Sequence, residues 1–551
     1  MIVVFGGDAL ALRVCEELIE RDGKRVVLLW DGDADFARAV QATGARFVAR
    51  TADEAASLRE AGIGEAAAIL AIAGDDNDNL QVALAARDLN PAVRVVLRQF
   101  NRSLGRKIEQ NLSDCSVVSL SSHAAATYAS AAVDPTCFFG VQFPDIDGRL
   151  VGFFKRSGTE PGLARRSPAQ IEAHDAVRVV ARGGQTAFDR EAPLGDGESV
   201  ITFGAVVPRF PKAAGRTGSR PRSRAPELVR DLRRADPLLR RLLVAVLLLF
   251  AAGTAFFALV LHLDVLTAAY FVVATMTTTG YGDISARSAN GPGEAGAIVL
   301  MVAGVAFTGI LVAVGSSLFT RAQYAALQGL RPVSRRGHVI VCGAGNVGSR
   351  VIEFLVRMRC AVVVIEIGPK PEIVEGSRAR RFDLLTGDAT KDSTLDLCNV
   401  AEAASLVALT HSDTMNLEVA LSARAREPDL PIAMRVQHES FQTSVRSHFG
   451  FENTFGTAAL AAPLFVGLAT APGARGRVRI DAHDFRLIEC VAGSDADRIP
   501  DGIPLCVLRD EEIVLIADTA AAFPSERILM LQPVPPSRRA PSAAALAMEP
   551  A

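Results

Sequence analysis

The sequence of 551 residues predicts a multidomain chain: two α/β Rossmann-like domains, each with a small β-rich lobe after it, on either side of an α-helical module of two membrane spans. Three observations carry this. Short apolar runs alternate with amphipathic stretches over residues 2–132 and again after residue 338, the pattern of buried parallel strands joined by helices. Leu242–Leu263 and Ala295–Thr320 contain no Asp, Glu, Lys or Arg. As a helix the first would be about 33 Å long, enough for one bilayer crossing.

Composition narrows the function classes. A formal net charge of −2 gives no bias toward nucleic acid, and no nucleic-acid partner is expected. The 8 cysteines include no Cys-x-x-Cys pair, so neither a disulfide framework nor a zinc site is expected. The chain runs from Met1 directly into the strand-like Ile2–Phe5, and no signal peptide is expected.

Residues 1–134 form the first α/β domain. Ile2–Phe5, Arg25–Trp30, Ala45–Val48, Ala67–Ile72 and Val93–Leu97 read as parallel strands, with Leu10–Arg21 and Asn79–Leu89 among the helices between them. A dinucleotide fingerprint requires glycine where Gly6-Gly7-Asp8-Ala9-Leu10-Ala11 has Asp8 and Ala11, and Asp8 places negative charge where a pyrophosphate approaches. Asp31, after the second strand, is still placed to accept from a ribose hydroxyl. Nucleotide binding and a purely structural role both stay open for this copy. Residues 135–207 read as a small β-rich lobe, and 208–241 as an arginine-rich cytoplasmic linker that meets anionic lipid head groups.

The membrane module covers 242–320: span 242–263, a half-length apolar segment 267–277, and span 295–320. The half-length segment is too short to cross and reads as a re-entrant helix. Behind it lies Thr275-Met276-Thr277-Thr278-Thr279-Gly280-Tyr281-Gly282-Asp283, which resembles the selectivity filter of a potassium channel. A dehydrated K⁺ needs rings of backbone carbonyls in place of water. Gly280 and Gly282 supply the positive φ that turns successive carbonyls to one axis. K⁺ is expected at Thr278, Thr279, Gly280 and Tyr281, with filter 278–282 and Asp283 at its outer end. One chain supplies one filter strand, so the resemblance implies a homotetramer. Basic residues flank both spans, which places both termini in the cytoplasm of a multi-pass plasma (inner) membrane protein. In two-span potassium channels a glycine in the second span is implied to be the gating hinge, and Gly304 matches it; close helix packing is the competing explanation.

Residues 335–470 repeat the α/β pattern with the fingerprint intact. His338–Cys342 is followed by Gly343-Ala344-Gly345-Asn346-Val347-Gly348, a helix, and a strand ending in Glu366, about twenty residues on, where a carboxylate accepts from ribose hydroxyls. Gly387-Asp388-Ala389-Thr390 and Leu409-Thr410-His411-Ser412-Asp413-Thr414-Met415-Asn416-Leu417 then resemble the regulator-of-K⁺-conductance (RCK) domains, also called Trk-type NAD-binding domains. Ala73-Gly74-Asp75-Asp76-Asn77-Asp78-Asn79-Leu80 is the matching stretch in the first copy, so the two halves are an internal repeat, one preserved and one eroded. The resemblance implies a regulatory ligand, NAD(H) or an adenine nucleotide, at Gly343, Gly345, Asn346, Val347, Gly348, Glu366 and Asp388. Arg435, in Ala433–His438, suits phosphate better than Ca²⁺, which the sequence does not support as the ligand. Residues 476–534 form a second β-rich lobe, and 535–551 read as a disordered tail.

The resemblance implies a K⁺-selective channel gated by ligand binding to its cytoplasmic domains, with no catalytic residues. A membrane-tethered NAD-dependent enzyme and a regulatory subunit of a K⁺ transport complex are the alternatives.

Overall fold

The computed structural model describes residues 1–31, 34–143, 149–160, 162–209, 237–327, 333, 335–471, 473–481, 483–492, 502–509, 512–516 and 526–534. Most of the basic linker and the whole of the tail 535–551 lie outside the described residues. The chain forms two compact units, residues 1–212 together with 332–551, and residues 213–331.

In the first unit, β1 (Ile2–Phe5), β2 (Val26–Trp30), β3 (Arg46–Ala49), β4 (Ala68–Ala71), β5 (Arg94–Arg98) and β6 (Cys115–Val118) make a parallel sheet in the order β3-β2-β1-β4-β5-β6. Four antiparallel strands follow, β7 (Cys137–Gln142), β8 (Leu150–Ser157), β9 (Val177–Arg182) and β10 (Ser199–Ala205), in the order β7-β8-β10-β9. After the membrane module, β11 (Val339–Cys342), β12 (Val362–Glu366), β13 (Asp383–Thr386), β14 (Ser405–Ala408), β15 (Ile432–Val436) and β16 (Thr454–Gly456) reproduce the first sheet in the order β13-β12-β11-β14-β15-β16. The last sheet is β17 (Ala474–Ile480), β18 (His483–Val491), β19 (Ile503–Arg509), β20 (Glu512–Leu515) and β21 (Arg527–Pro533), in the order β17-β18-β21-β19-β20. The first and third sheets reverse direction of winding between β1 and β4 and between β11 and β14, and ligands bind beyond the strand ends at such points.

The helices that close the two repeats are exchanged. Leu120–Val133, rich in alanine and buried almost all round, packs into the core of the second repeat with Val339, Val347, Val351 and Leu355. Thr457–Thr470 packs in turn on Leu10, Val14 and Leu18 of the first repeat. On its own side of the chain Leu120–Val133 lies close on β7, where a Cβ on Gly140 would stand 2.5 Å from the Ala126 carbonyl oxygen. Buried hydrogen bonds fix the exchange. The Tyr128 hydroxyl donates to the Phe455 carbonyl at 2.7 Å, and the Ser405 hydroxyl to that of Ala132 at 2.6 Å. His123 contacts the Leu460 carbonyl through Nε2 at 3.2 Å. The two lobes likewise share one core, in which Phe139, Phe153 and Phe203 meet Val478, Phe485 and Leu505. The sequence boundary near residue 134 therefore does not coincide with a boundary in packing.

Among the described residues the second unit holds three α-helices, Pro237–Val260, Val265–Met276 and Asn290–Leu327. Phe257, Phe271, Val272, Met276, Ala297 and Leu300 form its core. Asp264 caps the middle helix, accepting from the Thr267 N–H at 3.1 Å and the Thr267 hydroxyl at 2.6 Å. Among the described residues one helical stretch, Gly291–Ile310, is long and apolar enough by itself to cross a membrane, and Val244–Val260 is a shorter apolar helix. The first helix stops short of the sequence-predicted end at 263, because the chain turns at His262, whose φ is +50°.

Candidate functional site

The preserved fingerprint sits where β11 runs into the helix Asn346–Arg357. Gly343 has φ +95°, and a Cβ there would meet the Leu409 carbonyl at 3.0 Å, so glycine is required twice over. A Cβ on Gly348 would stand 2.0 Å from the Gly343 carbonyl oxygen; its absence lets helix and loop touch. Nothing lies within 4 Å of the Cβ position of Gly345, which leaves the loop open there. Gly345 is also the N-cap and provides no side-chain cap, so the first N–H groups of the helix face a site suited to an anion.

Glu366 holds the loop. Its Oε2 accepts from the Ala344 N–H at 2.5 Å, and its Oε1 from the N–H groups of Ile367 and Gly368 at 3.0 and 3.3 Å. Asp388 is turned into its own loop, accepting from the Thr390 N–H at 3.0 Å and hydroxyl at 2.8 Å, bonds that hold its carboxyl below the usual range. Arg435 lines the cavity, and its Nε is buried without a hydrogen-bond partner. An open loop, an uncapped helix start and an unpartnered guanidinium nitrogen together fit a phosphate group.

The repeated acidic stretch serves to brace the ends of the strands. Asn416, fully buried, accepts from the Thr410 N–H at 2.8 Å and donates to the Arg435 carbonyl at 2.9 Å, joining the ends of β14 and β15. Asn79 does the same for Ala73 and Arg98, at 2.7 and 3.2 Å. Asp413 accepts from the Gln437 N–H, and Asp76 from that of Phe100, each at 2.9 Å. These roles escaped the sequence reading, although the same spacing in both copies was their signal.

The eroded copy fills its own anion seat. Asp8 Oδ1 accepts from the Leu10 and Ala11 N–H groups at 3.1 Å each, and Oδ2 from Arg98 at 2.8 Å. Trp30 takes the strand-end position that Glu366 holds in the other copy, and a Cβ on Gly7 would fall 1.8 Å from its indole nitrogen. Asp31 lies exposed beyond it. The site that the sequence left open in this copy is thus occupied by a carboxylate and an indole of the chain itself.

A cavity of about 470 Å³ lies at the preserved fingerprint, and both repeats wall it. The second repeat contributes Gly343, Gly345, Asn346, Val347, Glu366, His411 and Arg435; the first contributes Gly74, Asp76, Arg98, Gln99, Phe100, Leu120 and Ser121. Nothing in the sequence reading had assigned the first repeat to this site.

In the membrane module the helix Val265–Met276 leads into the filter stretch. Thr278, Gly280 and Gly282 have φ of +60°, +53° and +79°, so alternate residues are left-handed and the expectation for both glycines holds. Tyr281 stacks parallel to Tyr270, their ring centroids 6.3 Å apart. Gly304 faces the end of the helix Val265–Met276: a Cβ there would stand 2.8 Å from both the Cα and the carbonyl oxygen of Met276. Close packing against Met276 therefore requires a glycine here, whether or not the span also bends at it.

Residues 2–119 and 339–455 match the TrkA-N domain family, and residues 244–321 match an ion-channel family. TrkA-N domains thus flank an ion-channel pore domain. Potassium channel protein 1 of Methanocaldococcus jannaschii is 27% identical over 184 residues, which cover 32% of this chain and 54% of that protein. The voltage-gated potassium channel Kch of Escherichia coli is 27% identical over 177 residues, 31% of this chain and 42% of that one. The matches to these relatives span about half of their length or less. Among solved structures, the GsuK channel aligns over 96% of this chain and 76% of its own with a TM-score of 0.52 at 13% identity. The same channel bound to NAD aligns over the same shares with a TM-score of 0.51 at 13% identity. These structural likenesses bear on the fold.

Proposed function

From a chain in which two TrkA-N domains flank an ion-channel pore domain, we propose a K⁺-selective channel whose opening is set by a nucleotide held in the regulatory unit. The observation that carries the pore reading is the filter stretch, where left-handed backbone alternates through Thr278, Gly280 and Gly282 directly behind a half-length helix. That alternation directs successive carbonyls to the same side, which is what stripping water from K⁺ demands. Potassium channels among the relatives support the choice of ion. Four copies are needed to close a ring of such strands, so the protein works as a homotetramer in the plasma membrane, with both termini in the cytoplasm.

The effector reading rests on the cavity at Gly343–Gly348. There the glycine loop and Arg435 would hold phosphate and Glu366 would meet ribose, with NAD(H) or an adenine nucleotide as the ligand. A GsuK channel bound to NAD supports this choice. The nucleotide is a regulatory ligand and not a cosubstrate, and the protein is a channel and not an enzyme. Gating requires the ligand to bind one state of the regulatory ring more tightly than the other; couplings of this kind are worth about 1–3 kcal/mol.

Purified protein in liposomes should pass K⁺ in preference to Na⁺ and be blocked by Ba²⁺. Gly282→Ala should abolish the flux, since an L-residue at this left-handed position costs roughly 1–2 kcal/mol in each strand. Equal K⁺ and Na⁺ flux in the wild type, or full flux in the variant, would overturn the pore assignment.

A further inference from the structure

We infer that the eroded first repeat has become the second wall of the nucleotide site in the other repeat, and that it reads the uncharged sugar and ring portion of the ligand through Gln99 and Phe100. The inference rests on the nucleotide reading above and adds to it a division of labour between the two repeats.

Four observations lead to it. Gln99 is 3% exposed, and its side-chain Oε1 is buried with no hydrogen-bond partner, a costly state for an amide that a ligand donor would relieve. Across the cavity the Nε of Arg435 and the Oγ1 of Thr457 are likewise buried without a hydrogen-bond partner, so both repeats present unsatisfied polar atoms to it. The segment carrying Gln99 and Phe100 is held in place: the Gln99 N–H donates to the Val118 carbonyl at 3.0 Å and the Phe100 N–H to Asp76 at 2.9 Å. The Phe100 ring also lies under the guanidinium of Arg350, 5.4 Å away, on the helix that the glycine loop opens.

Charge assigns the two walls their roles. On the first repeat the cation at the cavity, Arg98, is already paired with Asp8 at 2.8 Å. That wall therefore offers an amide, an aromatic ring, the Ser121 hydroxyl and the Asp76 carboxylate, which suit a sugar or base edge better than phosphate. The glycine loop and Arg435 take the phosphates on the other side. A bound nucleotide would then touch residues from both ends of the chain, and its occupancy would report on how the two repeats close on each other.

The test is calorimetric titration of the full-length protein with NADH and, separately, with inorganic pyrophosphate. Gln99→Leu and Phe100→Ala should each weaken NADH binding by about five- to tenfold, the usual range for one hydrogen bond or one aromatic contact. Pyrophosphate binding should be unchanged in both variants and lost in Gly345→Asp. Gln99 also borders a neighbouring cavity lined by Arg106 and Arg475, whereas Phe100 lines only the nucleotide cavity of these two, so agreement between the variants locates the contact. Unchanged NADH affinity in both variants would overturn the inference while leaving the nucleotide reading intact. Equal losses for NADH and pyrophosphate would also overturn it, since they would mark a general disturbance of the site. A wild-type protein that binds neither would overturn the nucleotide reading itself.

Discussion

Substituting Gly345→Asp turns the preserved fingerprint into a copy of the eroded one, and the structure predicts opposite effects on binding and stability. The backbone at Gly345 is extended, with φ −66° and ψ −162°, and Asp8 in the first repeat is extended too, with φ −117° and ψ 178°. No atom lies within 4 Å of the new Cβ. The introduced carboxylate can therefore cap the helix Asn346–Arg357 as Asp8 caps Ala9–Glu20, a contribution of about 1 kcal/mol. It would also stand where the phosphate of the proposed nucleotide would sit. Two like charges about 4 Å apart repel by roughly 4 kcal/mol at an effective dielectric constant near 20, so affinity should fall by about a thousandfold. Calorimetric titration reads the affinity and differential scanning fluorimetry the stability: binding should vanish while Tm holds or rises by a degree or two. Undiminished binding would place the phosphate elsewhere. A Tm lower by several degrees would show that the loop is closed to a side chain, against the geometry described.

Three further outcomes follow from particular contacts. Gly304→Ala directs a methyl group at the Met276 backbone, so K⁺/Na⁺ selectivity should fall along with open probability in single-channel recordings; a change in open probability alone would favour the hinge over close packing. Burial lowers the His123 pKa to about 4 from an unfolded value near 6.5, so the unfolded chain binds the extra proton first and stability is lost as pH falls from 6.5 to about 4. At most about 3 kcal/mol is at stake, and His123→Gln should flatten that part of the Tm–pH curve in the full chain. Tyr128→Phe removes the buried donor to the Phe455 carbonyl and should cost about 1–3 kcal/mol in urea unfolding, with no direct effect on the filter.

Much of this architecture is legible in the sequence because local chemistry dictates it. Val339–Cys342 is uniformly apolar, hence buried on both faces, and the glycines after it are imposed by backbone contacts within a few residues. Gly280 and Gly282 are legible for the same reason. The exchange of helices is not, because Leu120–Val133 is alanine-rich with no distinct polar face, and its partners lie more than two hundred residues away. The strand Cys115–Val118 is short and half polar, and Ile503–Arg509 contains a proline, so neither stands out as a strand. At the site, Asp8 shows in the sequence as damage. That it fills the seat is a matter of three hydrogen bonds, and the use of Gln99 and Phe100 by the other repeat depends on tertiary packing alone.

The shared cores of the first unit also impose a rule of parity. Residues 1–212 and 332–551 complete one body, each burying a helix of the other, so they must reach the same compartment. Any bilayer that the intervening 213–331 enters must be left on the side from which it was entered, and the number of crossings is even. Among the described residues one apolar helix is long enough to span, which cannot satisfy that count by itself, and Pro237–Val260, with its shorter apolar stretch Val244–Val260, would be a candidate for the second passage. The same exchange orders events in synthesis: the part of Leu120–Val133 that meets Val339, Val347, Val351 and Leu355 has no partner until the ribosome has passed residues 213–331.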